Sequence, residues 1–229
     1  SLKEMLQFLR YKPIWAAFAA TLIVGTGSSI AGGAGAYFYT YVLGDMKLMS
    51  GVSIIGLIAS LVGIVMGPYL ANRFGKKKVY LTAVIISTAL NLLRLLDVTS
   101  MILIYISALI GGVAGGWMVP VSTSIQADNT TYVQYKTGKR AEAAIASLTS
   151  FVSKVAQGLG GAIPGYVIAA YGFVTGASVQ PESINTGIIL CALILPLIFG
   201  ILGSLIFGTQ YTLDQKAVIE MDAKINRNN

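Results

Sequence analysis

The segment QADNTTYVQYKTGKRAE, residues 126–142, and the apolar run that follows it to Tyr171 decide the fold. One charge, Lys154, interrupts this run, and the nearest acidic residue is Glu142, about three helical turns away. If the run crosses a bilayer, Lys154 lies near its middle, where a lysine costs roughly 2.5–3.5 kcal/mol on insertion scales. Because residues that bear this cost usually mark a substrate or ion pathway, we predict that Lys154 belongs to a transport site.

The composition indicates that lipid is the solvent of this chain. Its 229 residues are 55% hydrophobic and 11% charged, with a mean hydropathy of +0.74. A soluble domain carries about 25% charged residues. Histidine is absent and Cys191 is the single cysteine, which excludes Ser-His-Asp, Cys-His and Cys/His metal chemistry. We therefore predict that the protein is not an enzyme and has no catalytic residue, no resident cofactor and no metal site.

Six apolar runs each approach the roughly 20 residues that cross a bilayer. They cover residues 14–43, 49–71, 79–96, 101–125, 143–171 and 186–207. The predicted fold class is an all-α integral membrane protein with a bundle of six transmembrane helices. Residues 1–13 are predicted to be a cytoplasmic linker, residues 14–207 the bundle and residues 208–229 a cytoplasmic C-terminal tail.

The basic residues predict the orientation of the bundle. Thirteen flank the runs on one side, against two on the other, and such a bias marks the cytoplasmic side. The first set is Lys3, Arg10, Lys12, Arg73, Lys76, Lys77, Lys78, Lys136, Lys139, Arg140, Lys216, Lys224 and Arg227; the second is Lys47 and Arg94. Both ends of this segment are therefore predicted to be cytoplasmic. The net charge of +7 is assigned to topology, and no nucleic-acid partner is expected.

Two further patterns concern the helices and the start of the chain. Pairs of glycines four residues apart, at residues 63 and 67, 111 and 115, and 161 and 165, predict close helix packing. The chain opens at Ser1 on a polar, linker-like stretch without a signal peptide, which favours an excerpt of a longer protein.

Three segments carry a resemblance to a known family: residues 36–45, AYFYTYVLGD; residues 127–154, which include YKTGKR and end in FVSK; and residues 73–78, RFGKKK. Together they resemble the glycoside–pentoside–hexuronide:cation symporters. This is the melibiose-permease-like branch of the major facilitator superfamily, found in bacterial inner membranes. The resemblance covers nearly the whole chain but only the second half of such a transporter, so the six helices would be helices seven to twelve.

The resemblance implies a transport site between two six-helix bundles. A sugar or glycoside and a coupling cation, sodium, lithium or a proton, would bind there at mid-membrane. Lys154 matches the family's lysine in helix eleven and would pair with carboxylates of the N-terminal bundle, which would also supply most cation ligands. Alternatively, Lys154 snorkels to the membrane interface.

The family's cytoplasmic charges also have counterparts. Asp128, Arg140 and Glu142 match positions in the loop between helices ten and eleven, and Arg73 matches the preceding cytoplasmic loop. The resemblance implies a cytoplasmic gate held closed by exposed salt bridges, each worth about 0–1 kcal/mol. For Arg73, a simple topology signal is an equal alternative.

Further positions are candidates for sugar contacts. Members of the family often carry a stacking tryptophan in helix ten, at a position occupied here by Val119. Trp117 lies two residues earlier, roughly 160° around the helix, and is a candidate platform unless it only packs. Thr123 and Ser150 match sugar-facing positions.

Tyr37 and Tyr41 lie one helical turn apart and are candidates for the outer vestibule. An aromatic belt at the membrane interface explains them as well.

The sequence offers two rival function classes, of which the second is disfavoured. One is a small, complete membrane protein that forms a homo-oligomer around Lys154, as an anion channel or transporter. The other is a membrane enzyme, which lacks a plausible general base because the chain has no histidine and no acidic residue deep in a predicted span.

Overall fold

The computed structural model describes residues 7–139, 141–177 and 179–227, and all regular secondary structure in these ranges is helical. The helices are α1 (Lys12–Tyr37, continued as a π-helix over Phe38–Val42), α2 (Lys47–Phe74), α3 (Lys76–Arg94), α4 (Met101–Thr137), α5 (Glu142–Ala170), α6 (Ser183–Gln210, with a π-helical turn at Leu190–Ile194) and α7 (Gln215–Arg227). Each predicted apolar run coincides with one of α1 to α6. The predicted all-α membrane bundle is confirmed.

Four of the helices, α1, α2, α4 and α6, are long and apolar enough to cross a membrane by length and composition. Helix α3 is less apolar because it begins with three lysines and ends at Arg94, and α5 because it carries Lys154, Gln157 and several glycines. The 19 residues of α3 still extend about 28 Å, close to the thickness of the hydrocarbon core.

Local sequence explains where the helices end. Gly75, with φ of 87°, separates α2 from α3, and Gly138, with φ of 68°, ends α4. Both backbones lie in the positive-φ range that glycine adopts without strain. Ser100 caps the start of α4 because its hydroxyl accepts a hydrogen bond from Leu103 N at 3.5 Å.

The helices pack in a defined order. Helix α4 packs against α2 and α3, α3 also packs against α6, and α1 packs against both α6 and α5. Helices α2 and α5 are therefore the two ends of this series. Helix α2 exposes a continuous apolar face at Leu57, Leu61, Val65 and Tyr69, as expected for a helix in lipid.

Helix α4 is three turns longer than the sequence predicts. The predicted span ends at residue 125 and Asp128 is expected in a loop, whereas the helix continues to Thr137. Asp128, Asn129 and Val133 are buried, and α7 packs against this extension. Tertiary contacts therefore keep a polar segment helical beyond the apolar run.

Two π-helical turns lie near each other at the end of the bundle away from α7. Phe38 in the first and Cys191 and Leu193 in the second belong to one buried cluster. The second turn precedes Pro196, which has no N–H for an α-helical bond.

Candidate functional site

A cavity of about 490 Å³ lies between α1, α3, α4, α5 and α6. Eleven of its lining residues carry aliphatic hydroxyl or amide groups: Thr21, Ser28, Ser87, Thr88, Asn91, Ser122, Thr123, Gln126, Asn129, Thr149 and Ser153. None of the lining residues is charged. Neutral donors and acceptors on otherwise apolar walls suit a neutral molecule that is rich in hydroxyl groups.

The polar residues of the cavity share a spacing that is visible in the sequence. Ser122, Gln126 and Asn129 on α4 lie four and three residues apart, and Ser87 and Asn91 on α3 lie four residues apart. Residues at this spacing share one face of a helix. Of the lining residues, only Thr123 is among the predicted sugar-contacting positions. The other polar residues of the cavity were not predicted. The sequence signal that could have identified them is the recurrence of polar residues every three or four positions inside apolar runs.

The threonine hydroxyls of the cavity donate to their own helices. Thr21 donates to Ala17 O at 2.8 Å, and Thr149 donates to Ile145 O at 2.9 Å. Each hydroxyl oxygen therefore offers lone pairs to the cavity, while the amide groups of Asn91 and Gln126 supply donors. The cavity can both donate to and accept from a ligand hydroxyl.

Lys154 lies on the exposed side of α5, away from α1. Helix α5 buries Leu148, Ala156 and Gly160, and Lys154 lies about 160° around the helix from Ala156. No carboxylate of the described residues forms a salt bridge with Lys154. Its neighbour Ser153 lines the cavity, so the ammonium group leaves the helix beside the cavity and not within it.

Small and polar residues surround Lys154 on this side of α5. The exposed members are Ala143, Ser147, Ser150, Gln157, Gly158, Gly161 and Gly165. We call this set the Lys154 stripe. A Cβ built on any of its glycines would meet nothing within 4 Å. The exposed apolar residues Leu159 and Tyr166 lie on another side of the helix, which suits lipid, whereas Phe151 borders the stripe. The Lys154 stripe instead suits the close approach of another helix.

The predicted sugar-contacting residues do not all meet at the cavity. Thr123 lines it, and its hydroxyl donates to Val119 O at 3.1 Å. Ser150 lies on the Lys154 stripe, one turn from Lys154. Trp117 instead packs between α4 and α2, and Val119 is exposed; neither lines the cavity.

The two predicted vestibule tyrosines form an aromatic cluster. The rings of Tyr37 and Tyr41 stack with centroids 6.3 Å apart, and Phe173 meets both edge-on at 5.5 and 5.8 Å. The cluster lies at the end of the bundle away from α7 and outside the cavity lining.

Among the described residues, the predicted gate charges do not pair with one another. Asp128 is buried and pairs with Lys76, with Nζ 2.6 Å from Oδ1, inside this bundle. Arg73 is exposed and donates to the Tyr69 hydroxyl at 3.2 Å. Glu142 is exposed at the start of α5, and Arg140 lies outside the described residues.

A second lysine of the same cluster holds the link between α6 and α7. Lys77 Nζ donates to Tyr211 O at 2.6 Å. Burial, and after it the Asp128 carboxylate, raise the pKa of Tyr211, so its hydroxyl stays protonated and donates to Asn129 Oδ1 at 3.5 Å. The start of α3 is thereby tied to both α4 and the end of α6.

Replacing Asp128 with alanine in the full-length protein is expected to destabilise it. Breaking one side of a buried pair costs about 3–5 kcal/mol. We expect about 1–3 kcal/mol here because the Lys76 side chain retains 21% exposure. Thermal unfolding of D128A, K76A and the double variant measures the effect. The double variant should lose less stability than the sum of the single variants, whereas additive losses would contradict the pairing. E220A, at an exposed carboxylate of α7, is the control.

These observations define the class of protein: a multi-pass membrane protein with an uncharged polar cavity inside a bundle of apolar helices. The family model described as MFS/sugar transport protein matches residues 1–215. The chain belongs to this family, which confirms the predicted relation to sugar transporters of the major facilitator superfamily and places it among transport proteins, not enzymes.

Bacterial relatives match between two thirds and almost all of the chain. It is 30% identical over 220 residues to an uncharacterized symporter, YjmB, of Bacillus subtilis. This alignment covers 94% of the present chain and 47% of the relative. It is 29% identical over 231 residues to a glucuronide carrier protein homolog of Escherichia coli, with 97% and 50% covered. It is 28% identical over 154 residues to an isoprimeverose transporter of Lactiplantibacillus pentosus, with 65% and 31% covered. The chain spans about half the length of the curated relatives it matches, or less.

Proposed function

We propose that this chain is the C-terminal half of a secondary active symporter that moves a sugar or glycoside together with a cation by alternating access. Helices α1 to α6 would be the second bundle of the transporter, opposite an N-terminal bundle of the same protein. The protein would lie in a bacterial inner membrane with both ends of this segment on the cytoplasmic side.

The observation that carries the proposal is the uncharged polar cavity. Hydroxyl and amide groups from four helices, α1, α3, α4 and α5, offer both donors and acceptors, as a sugar requires. Two relatives are named for sugar derivatives, a glucuronide and isoprimeverose. We therefore propose a glycoside, pentoside or hexuronide as the substrate.

Lys154 supports the presence of a second bundle. A helix that approaches the Lys154 stripe would bring partner carboxylates to the ammonium group and bury the pair beside the cavity. Those carboxylates would also supply most ligands of the coupling cation, sodium or a proton, because Asp128 is already paired with Lys76. Binding of sugar and of cation would then each strengthen the other.

The cytoplasmic charges support a gate that closes between the bundles. Arg73 and Glu142 are exposed and free to meet charges of the N-terminal bundle. Asp128 would act through Lys76, whose position it sets. Exposed pairs of about 0–1 kcal/mol each open readily, as a gate requires.

Proteoliposomes test this function. The full-length protein should accumulate a member of a glycoside and glucuronide panel when an inward sodium or proton gradient is imposed, and only then. Residues 1–229 alone should neither accumulate sugar nor bind sodium. Failure of every panel member under both gradients would refute the proposed function. Sodium-dependent sugar binding by the isolated chain would refute the division between the halves and favour a self-contained homo-oligomer.

A further inference from the structure

A second, smaller cavity lies at the end of the bundle opposite α7. Its volume is about 230 Å³. Polar groups of α1, α3 and α4 line it: Tyr39, Ser87, Asn91, Arg94 and Ser107. Arg94, the last residue of α3, is the single charged residue in this lining.

Arg94 lacks a counter-charge in the described part of the chain. Its guanidinium carbon lies 5.0 Å from the centroid of the Phe38 ring, and no carboxylate there forms a salt bridge with it. Its Nε is fully enclosed and has no hydrogen-bond partner among the described residues. Enclosed charges in proteins are normally paired and hydrogen-bonded, so a ring face alone leaves this cation incompletely compensated.

The neighbouring groups complete the chemistry of an anion site. The Asn91 amide and the hydroxyls of Ser87, Ser107 and Tyr39 can all donate hydrogen bonds into the same cavity as the guanidinium group. A planar guanidinium binds carboxylates and related oxyanions through paired N–H groups. Ser87 and Asn91 also line the large cavity, so the two cavities share a wall.

We propose that Arg94, Asn91, Ser87, Ser107 and Tyr39 form a binding site for a small oxyanion at this end of the bundle. The oxyanion is the carboxylate or sulfonate of a free solute, or the phosphate of a lipid headgroup. The site binds the anionic group through Arg94 and keeps it next to the polar wall of the large cavity. This binding does not require transport.

Ligand-dependent thermal stability tests the site. The full-length protein is titrated in nanodiscs with sodium glucuronate, and separately with glucose, its neutral counterpart, at constant ionic strength. Both titrations are carried out in a protein that also carries K154A, which removes any contribution from the proposed transport site at Lys154. We expect glucuronate to raise the unfolding midpoint in a saturable way, with an apparent Kd at least tenfold weaker in R94Q. Glucose should give no shift that depends on Arg94.

A lipid arm separates the two sources of the anion. If phosphatidylglycerol in the nanodisc stabilises the parent protein over R94Q while glucuronate has no effect, the ligand is a lipid headgroup. Two further variants are informative if R94Q does not fold. R94K keeps the positive charge but loses the planar guanidinium group, and S107A removes one hydroxyl donor. Both should weaken binding. K47Q, at an exposed lysine of the same end, should bind as the parent does. Equal responses of R94Q and the parent in both arms would overturn the proposal.

Discussion

Replacing Lys154 with alanine in the full-length protein is expected to abolish gradient-driven sugar accumulation. The ammonium group lies on the Lys154 stripe, one residue from Ser153 of the cavity wall. In the closed transporter it would be desolvated between the bundles and paired with carboxylates. Truncating one partner of a desolvated pair costs about 2–5 kcal/mol, which corresponds to a loss of about 30- to 4,000-fold.

The K154A protein should also lose the coupling between the two ligands. If its ammonium group joins the sugar and cation sites through shared carboxylates, the sugar Kd of the variant becomes independent of sodium or pH. Sugar affinity measured with and without the coupling cation gives this result directly. A merely structural role would lower the unfolding midpoint and leave the ratio of the two affinities unchanged.

Two variants serve as controls for this prediction. K154R retains a positive charge on the same stripe and should keep part of the accumulation. K139A removes an exposed lysine near the end of α4 and should accumulate sugar at the parent rate. Accumulation by K154A at the level of K139A would remove Lys154 from the mechanism.

The bundle could be predicted from the sequence because its helices are set by local properties. Long apolar runs, bounded by charged or turn-forming segments, specify six membrane helices without knowledge of their partners. The extension of α4 to Thr137 has a different cause. Buried Asn129 and Val133, and contact with α7, hold it in place, and these contacts join residues far apart in the chain.

The site was predictable in part for the same reason. Lys154 stands out because it is the one charge in its apolar run, and its placement on the Lys154 stripe follows from helical spacing. The partner of Asp128 could not be predicted from the sequence. Lys76 lies 52 residues away, and Arg73 and Lys77 carry the same charge and were equally good candidates. Trp117 could not be assigned by residue type either, because the orientation of α4 directs it to α2.

The second large effect is expected at the contact between α2 and α4, where glycines replace side chains. A Cβ on Gly63 would strike the backbone of α4 at Val113 and lie 2.9 Å from Trp117 N. A Cβ on Gly116 would strike the backbone of α2 at Ser60. Because backbone atoms cannot rotate aside, even one added carbon must push the helices apart. Of the predicted glycine pairs, Gly63 and Gly67 make such contacts, whereas Gly161 and Gly165 face open space.

We therefore expect G116A to lower the free energy of unfolding of the full-length protein by about 2–3 kcal/mol, the upper part of the range for overpacking. G63L should yield no folded protein, since a whole side chain would separate α2 from α4. Thermal unfolding and size-exclusion chromatography of membrane extracts measure both effects.

The matched controls are G51A and G51L on α2, where an added Cβ meets nothing within 4 Å. Both should unfold within a few degrees of the parent, and G51A gains helix propensity. If G116A unfolds at the same temperature as G51A, the backbones of α2 and α4 do not touch, and α2 is free to move against α4. Such freedom would change the transport model, because a bundle that rocks as a unit requires its helices to stay locked together.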